Sequence, residues 1–235
     1  MFGNSNLFTR VIKDEDINRV LGVQPQRERS LMTKVATRCL WFWPRIEEAR
    51  GWVVSTRGSQ WDPYDYLHSH ETKLMKQILK HTQKSDVLME LGCNCGSDMA
   101  QLFARSYTHL RGVDASTEAL QIFASEYPDV FRAADVEHDL FQRYLLRQSS
   151  NSVDYIYSNG ATIELVHPSF PVVAQICRVA RKGILLDLSE TQQGHPRDYT
   201  GQMLRSGFSL SYSDKQDRPS DKSHIFVFHS KPASR

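Results

Sequence analysis

The fold is decided by seven consecutive residues that read Glu90-Leu91-Gly92-Cys93-Asn94-Cys95-Gly96. The apolar run at 87–91 leads into this loop and predicts a β-strand, and Met99, Leu102 and Phe103 follow it at helical spacing. The loop is therefore predicted to be the first strand-to-helix turn of a doubly wound sheet. Ligands bind at such turns, outside the carboxyl ends of the strands.

The spacing of the glycines argues against a dinucleotide as the ligand. The dinucleotide fingerprint Gly-x-Gly-x-x-Gly needs glycine at the positions that Asn94 and Ser97 occupy, and Gly96 is displaced from it. Gly92 and Gly96 can adopt positive φ, and asparagine is among the few other residues that tolerate this conformation. The lysine of a P-loop is also missing, so the loop does not match either of these phosphate-binding motifs.

The remainder of the chain predicts alternating strands and helices. We expect strands near 87–91, 110–113, 130–133, 153–157 and 183–188, with helices between them. The last two apolar runs, 208–212 and 224–229, are joined by too few residues for a crossover helix and should pair antiparallel. The sequence thus predicts an α/β, Rossmann-like, doubly wound and mostly parallel sheet of seven strands that ends in an antiparallel hairpin.

The first 70 residues have a different pattern. Asp14-Glu15-Asp16 precedes Ile17, Val20 and Leu21, as expected for a helix with an acidic first turn. We predict a helical N-terminal extension or lid over 1–70 and a main domain over 71–235. The extension either only packs on the core or also contacts the substrate.

Asp114 ends the second predicted strand and is the first candidate for a ligand contact outside the loop. A carboxylate at this position can accept hydrogen bonds from both hydroxyls of a ribose. It could instead cap the helix that follows, since Ala115-Ser116-Thr117-Glu118 also reads as a capping region.

Together, Glu90-x-Gly92-x-Asn94-x-Gly96 and Asp114 resemble the first two motifs of the class I S-adenosylmethionine-dependent methyltransferases. The resemblance runs from about residue 86 to residue 229 and includes the terminal hairpin; Asn94 departs from the usual glycine. It implies S-adenosylmethionine as cofactor and S-adenosylhomocysteine as product. It also implies that Glu90 steadies the loop and the cofactor's amino group, that the glycines contact the methionine moiety, and that Asp114 holds the ribose.

The resemblance extends the predicted cofactor site to five further positions. An acid after the third strand would lie near the adenine amino group, and Asp135 is the match, with Asp139 as the competing choice. An aromatic residue of the segment before the first strand would close over the cofactor. The remaining positions are neighbours of these motifs, and the full set is Cys93, Ala115, Asp135, Asn159 and Tyr66.

The acceptor side of the site should follow the fourth strand. Methyl transfer requires an aligned acceptor and, for a hydroxyl or ammonium acceptor, a base that removes its proton. His167 is the candidate base, Glu164 would orient it or bind the substrate, and His195 after the fifth strand is a second candidate. In the alternative interpretation Glu164 is exposed and His167 only caps a helix.

The leading functional hypothesis is an enzyme that methylates an oxygen or nitrogen of a small molecule. No proline follows Asn159, which demotes methylation of nucleobase amines. Two alternatives stay open: a noncatalytic cofactor-binding scaffold, and an RNA or protein methyltransferase that uses N-terminal arginines and lysines, namely Arg27, Arg29, Lys34, Arg38, Arg45 and Arg50.

Composition limits the partners and the location. The formal net charge of +2 gives no strong field toward nucleic acid or an anionic membrane, so we expect neither as a partner and expect a small-molecule acceptor. The start of the chain lacks the pattern of a secretion signal, which predicts a cytoplasmic protein with reduced cysteines. His68-x-His70 has no clear third ligand, so no metal is predicted. The oligomeric state is left open, with a homodimer as one option.

Overall fold

The computed structural model describes residues 63–67, 71–160, 163–166, 170–190, 197–215 and 224–231. Most of the predicted N-terminal extension lies outside these residues, as do His167 and His195. The strands of the described part are β1 (Leu88–Leu91), β2 (Leu110–Asp114), β3 (Asp135–His138), β4 (Val153–Ser158), β5 (Ala180–Leu188), β6 (Phe208–Lys215) and β7 (His224–Ser230).

Seven helices and two short 3-10 helices accompany the sheet in the described part of the chain. The 3-10 helices span Pro63–Tyr66 and Ile163–Leu165. The α-helices are α1 (Lys73–His81), α2 (Ser97–Ala104), α3 (Thr117–Glu126), α4 (Pro128–Ala133), α5 (Phe141–Arg147), α6 (Val172–Val179) and α7 (Tyr199–Arg205).

The seven strands form one sheet in the order β3-β2-β1-β4-β5-β7-β6. The pairs β1–β2, β2–β3, β1–β4 and β4–β5 are parallel, whereas β7 runs antiparallel to both β5 and β6. The predicted fold class and its terminal antiparallel hairpin are confirmed. The strand order reverses between β1 and β4, and ligands bind in such folds outside the carboxyl ends of the strands around this reversal. We call the edge formed by the carboxyl ends of β1, β2 and β4 the switch point.

Burial on both sides of the central strands holds the switch point in place. Every residue of β1 and of β4 is buried. The helices α1, α2 and α3 contribute to one apolar cluster with the sheet, and α6 packs with α5 and α7. Because parallel crossovers are right-handed, the reversal of strand order places these two helix groups on opposite faces. The loops after β1 and β4 thus leave from a rigid base.

The third strand was wrongly predicted, because 130–133 lies in helix α4. Pro128 at the first position of that helix has the φ that a helix requires, which favours this choice. Val130 is buried and the ring of Phe131 contacts that of Phe123 edge-on at 5.2 Å between centroids. The true β3 begins at Asp135, at the edge of the sheet, and is too polar for an apolar pattern to reveal.

The amino ends of β1 and β4 are joined by a buried carboxylate. Asp154 Oδ2 accepts a hydrogen bond of 3.0 Å from the Val87 N–H, and its Oδ1 accepts from Arg181 and pairs with Lys182 at 3.1 Å. Burial alone would raise the pKa of Asp154, but the hydrogen bonds from Val87, Arg181 and Lys182 hold it below its ordinary value. The ionised carboxylate therefore stabilises the folded state.

We predict that Asp154→Asn lowers the free energy of unfolding by about 1–2 kcal/mol at neutral pH, because the bonds to half-exposed cations weaken. A depressed folded-state pKa stabilises the protein above the unfolded value of about 3.9, and this contribution disappears as pH falls through the folded pKa. The difference from wild type in urea unfolding should therefore shrink in acid. The control is Asp129→Asn, at the exposed ion pair with Arg132, which should change little. A difference that persists in acid would contradict the electrostatic explanation.

Candidate functional site

The loop between β1 and α2 turns through three left-handed residues. Gly92 and Gly96 both have φ of 76°, and Asn94 has φ of 47°. The prediction that these positions adopt positive φ is confirmed. The turn is closed by a 2.8 Å hydrogen bond from the Gly96 N–H to the Cys93 carbonyl, and the Gly92 N–H donates to the Val113 carbonyl at 2.9 Å. The loop therefore curls over the carboxyl ends of β1 and β2.

Gly96 is also needed because a neighbouring helix lies against it. A Cβ atom added to Gly96 would come within 2.3 Å of the ring of Phe123, which is fully buried on α3. No side chain fits at that distance unless the aromatic ring moves. The loop is therefore packed from behind by α3 and cannot be displaced without disturbing the core.

Asp114 joins this loop to the one that follows β2. Its Oδ2 accepts a hydrogen bond of 2.8 Å from the Asn94 N–H, and its Oδ1 accepts one of 2.7 Å from the Ser116 N–H. Burial raises the pKa of Asp114, and the two backbone N–H donors oppose that shift. The cap of α3 is Ser116, whose Oγ accepts from the Ala119 N–H, so the alternative that Asp114 caps this helix is wrong.

Asp135 does not lie with these residues. It begins β3, its side chain is 69% exposed, and its carboxylate lies 3.8 Å from the guanidinium of Arg111. The carboxyl end of β3 is instead followed by Asp139, which is buried and accepts hydrogen bonds of 2.6 Å from both Arg143 and Arg147. The placement of Asp135 at the ligand edge was therefore wrong, because the strand preceding it was wrongly predicted, and the competing Asp139 occupies that edge.

Two buried carboxyls lie under the loop, one predicted and one missed. Glu90 accepts a hydrogen bond of 3.0 Å from the Tyr157 hydroxyl, and Asp98 Oδ2 accepts one of 2.8 Å from the Asn159 amide. Burial, followed by the charge of Asp98, raises the pKa of Glu90 well above its usual range. The other oxygen of Asp98, Oδ1, is buried and has no hydrogen-bond partner among the described residues.

Asp98 was not predicted as a site residue, because the apolar pattern places the start of the helix at Met99. Helix α2 begins at Ser97 and therefore includes Asp98. An acidic residue in the first helical turn after a glycine loop was the available signal. The helix dipole accounts for such a residue on a surface. It does not account for a carboxyl group that is only 6% exposed, and this burial is visible only in the folded chain.

The two thiols of the loop serve packing. Cys93 and Cys95 are buried, and burial raises the pKa of Cys93 well above its usual range and that of Cys95 to about 11. The space for Cys93 is provided by Gly112, where an added Cβ would lie 3.0 Å from the Cys93 sulfur. Because only a thiolate is a strong nucleophile, neither cysteine is prepared for covalent catalysis.

A third buried carboxyl lies where the chain leaves β4. Glu164 belongs to the 3-10 helix Ile163–Leu165 and is 1% exposed, so the alternative that it is a solvated surface residue is wrong. Its Oε1 accepts a hydrogen bond of 2.8 Å from the Ser189 N–H, just after β5, while Oε2 has no partner among the described residues. Burial raises the pKa of Glu164 to about 7.

Arg197 brings a positive charge near Glu164. Its guanidinium lies 5.2 Å from the ring centroid of Tyr199 and donates to the Val166 carbonyl. Burial lowers the pKa of Arg197, and the charges of Tyr199 and Glu164 act in the opposite direction. Beyond the carboxyl ends of β4 and β5 there is therefore a buried carboxyl with a raised pKa and, near it, a partly buried cation.

Most of the predicted site residues that the structure describes lie at the carboxyl edge of the sheet. Tyr66 is exposed, and its 3-10 helix lies against α3. The exception is Asp135. The positions that follow the carboxyl ends of β1, β2 and β4, or belong to those ends, are Glu90, Gly92, Cys93, Asn94, Gly96, Asp114, Ala115, Asn159 and Glu164.

Two other kinds of feature, a metal site and a membrane-spanning helix, are not found among the described residues. In the described part of the chain, no group of three or more histidine, cysteine, aspartate or glutamate side chains could hold a metal ion. Over the same residues, no helix is both long enough and apolar enough to cross a membrane.

Comparison with known proteins identifies the fold. The magnesium protoporphyrin IX methyltransferase from Synechocystis, solved with bound SAM, is 13% identical; the match covers 74% of this chain and 92% of that one, with a TM-score of 0.55. A TehB-like SAM-dependent methyltransferase from Corynebacterium glutamicum is also 13% identical, covering 70% and 90%, at a TM-score of 0.55. The chain has the class I methyltransferase fold. A methyltransferase from Mesorhizobium loti matches at 13% identity over 66% and 96%, with a TM-score of 0.52.

Because the sequence identities are only 13%, these comparisons show similarity of fold alone. No family model matches the sequence, and no curated protein matches it. The class I methyltransferase fold nevertheless gives the loop after β1 and the carboxylate of Asp114 a common setting, because both lie at its switch point.

We predict that Gly96→Ala destabilises the protein by about 2–4 kcal/mol, because the left-handed conformation and the collision with Phe123 both oppose a side chain. The matched control is Gly207→Ala, where φ is 90° but no atom lies within 4 Å of the added Cβ. It should cost only about 1–2 kcal/mol. Equal losses in urea unfolding would show that the contact with Phe123 contributes nothing.

Glu164→Gln should change stability with a characteristic pH dependence. Because the folded-state pKa is about 7 and thus above the unfolded value, the wild type loses stability as pH rises toward neutrality, when the buried carboxyl must ionise. The glutamine variant cannot ionise, so it should gain about 1–3 kcal/mol relative to wild type between mildly acidic and mildly alkaline pH.

The measurement for Glu164→Gln is urea unfolding of both proteins across that pH range. The matched control is Glu126→Gln, at an exposed position on α3, which should follow the wild type throughout. A constant difference between wild type and Glu164→Gln at every pH would contradict a raised pKa.

Proposed function

We propose that the protein is an S-adenosylmethionine-dependent methyltransferase that methylates an oxygen or nitrogen of a small molecule and releases S-adenosylhomocysteine. The observation that carries the proposal is the pair of hydrogen bonds by which Asp114 holds the Asn94 and Ser116 N–H groups at the switch point. The class I fold supports it, and the Synechocystis neighbour has been solved with bound SAM and with bound SAH.

The residues at the switch point fit this cofactor. A carboxylate has about four acceptor positions, so Asp114 can hold two backbone N–H groups and still accept from the hydroxyls of a ribose. Gly92 and Gly96 carry no side chain that would block the methionine moiety. Asp98 Oδ1 is buried and has no hydrogen-bond partner among the described residues, and the charge of Asp98 acts on Glu90. These two carboxyls suit the positively charged end of the cofactor.

Asp139 and Tyr66 complete the proposed cofactor site. Asp139 follows β3, directly beside the end of β2, because its N–H donates to the Asp114 carbonyl at 3.1 Å. Asp139 would lie beside the adenine, at the position predicted from the sequence for Asp135. Tyr66 is exposed on a 3-10 helix that lies against α3 and would close over the cofactor.

When bound, S-adenosylmethionine would supply a methyl group activated by a sulfonium. The task left to the protein is to align the acceptor and to receive its proton. Glu164 is suited to the second task because the Ser189 N–H fixes Oε1 and leaves Oε2 to accept the proton. With its pKa raised to about 7, both forms of the carboxyl are populated near neutral pH, which favours proton exchange.

Two observations favour a small acceptor over a macromolecule. Glu164 is almost completely buried, so the reacting atom has to enter the protein to reach it. A small molecule can do so more easily than a folded RNA or protein surface. The formal net charge of +2 also provides little general attraction for nucleic acid.

We predict that Asp114→Ala weakens the binding of S-adenosylmethionine about 10- to 100-fold, because charge-assisted hydrogen bonds are lost and the loop is released. Titration calorimetry of the purified protein measures this. The matched control is Asp135→Ala, which removes the same group from the start of β3 and should leave the affinity unchanged. Equal effects of both substitutions would remove Asp114 from the cofactor site.

The wild-type titration also tests the proposed function itself. If neither S-adenosylmethionine nor S-adenosylhomocysteine binds, the proposal is wrong. If the cofactor binds, incubation with pooled metabolites should produce S-adenosylhomocysteine above the level seen with cofactor alone. Binding without turnover across oxygen and nitrogen acceptors would favour the noncatalytic scaffold.

A further inference from the structure

Glu90 and Asp98 present an unusual electrostatic arrangement beneath the loop. They are 3% and 6% exposed, they come from β1 and from the first turn of α2, and the charge of Asp98 raises the pKa of Glu90. Two like charges in a dry site cannot both ionise at ordinary carboxyl pKa values. At least one of the two is therefore held as the neutral acid when nothing else neutralises it.

The charges that act on the pair from neighbouring elements are acidic. Asp187 on β5 raises the pKa of Asp98, and Asp114 raises that of Glu90. Both carboxyls in turn act on the thiol of Cys95, and the neutral hydroxyl of Tyr157 is the donor to Glu90. The charges that act most on the pair are therefore those of further acidic groups.

The hydrogen bonds leave one position of the pair open. Asn159 donates to Oδ2 of Asp98 and Tyr157 donates to Oε2 of Glu90, whereas Asp98 Oδ1 is buried without a partner among the described residues. A buried carboxyl oxygen without a hydrogen-bond donor is energetically unfavourable. A cationic hydrogen-bond donor from a ligand would remove that cost and neutralise the pair.

We propose that Asp98, together with Glu90, is the counter-charge for the ammonium group of the cofactor's methionine moiety, and that the pair holds a proton which it releases on binding. The inference rests on the proposed function. The balance is simple: a carboxylic acid of the free protein becomes a carboxylate paired with the ammonium, and the proton passes to the solvent. Asp98 is thereby a cofactor-binding residue that the sequence motifs did not indicate.

Proton release makes the affinity depend on pH with a definite sign. Because the ammonium lowers the pKa of the pair, affinity rises with pH until the free protein has lost the proton. It falls again only when the ammonium of the ligand itself loses its proton. Within the rising range, one released proton corresponds to about a tenfold change in affinity per pH unit. S-adenosylhomocysteine keeps the ammonium and differs only by the loss of the methyl group and the sulfonium charge, so it should release protons equally.

The test is titration calorimetry of the full chain with S-adenosylmethionine and with S-adenosylhomocysteine. Each titration is repeated in phosphate and in Tris, whose different ionisation enthalpies reveal the number of protons released. We expect both ligands to release protons, with the number approaching one per ligand below the pKa of the pair in the free protein. Asp98→Asn retains the acceptor for Asn159, and Glu90→Gln retains that for Tyr157, so both should fold; each should lower the proton number and flatten the pH dependence.

The outcomes distinguish a failure of this inference from a failure of the proposed function. Asp135→Asn, the same change at the start of β3, should leave the proton number at the wild-type value. Binding without proton release by the wild type, release with only one of the two ligands, or unchanged release by Asp98→Asn would each overturn the inference while leaving the proposed function intact. Absence of binding by either ligand would instead reject the proposed function.

Discussion

The candidate site depends on one carboxylate, because Asp114 is the point at which two loops from different strands are held together. One loop follows β1 and contains Asn94, and the other follows β2 and contains Ser116. By accepting from the N–H of Asn94 in one loop and of Ser116 in the other, Asp114 satisfies both groups and fixes their separation. A ligand that binds across the ends of β1 and β2 then meets a surface that is already in position, so less entropy is lost on binding.

Near Asp114 the protein buries several acidic groups, although burial of such groups is unfavourable. Glu90, Asp98 and Glu164 are all buried with raised pKa values, and each keeps one good hydrogen bond in the described structure. Such an arrangement weakens the free protein and strengthens its response to a cation or to a proton that has to be moved. The stability needed to tolerate it comes from the fully buried strands β1 and β4, next to which these residues lie. The ion pairs of Asp154 with Arg181 and Lys182 add to it at the amino end of β4.

The sequence was informative where chemistry and local geometry coincide. Strand β1, the left-handed positions of its loop and the carboxylate after β2 could be predicted because glycine spacing and apolar runs act over a few residues. Strand β3 was missed because it lies at the edge of the sheet and its residues need not be apolar. Asp98 and the burial of Glu164 were missed because both result from contacts with distant segments, through Asn159 and Ser189 respectively.

The polar residues of the edge strand β3 have a protective effect. An exposed edge offers unpaired backbone groups to any extended chain that approaches, including another molecule of the same protein. Strand β3 carries Asp135 and Glu137 among its four residues, and Arg147 pairs with the second of these. Charges of both signs along this rim oppose the addition of a further strand, so the sheet can end there without becoming a starting point for aggregation.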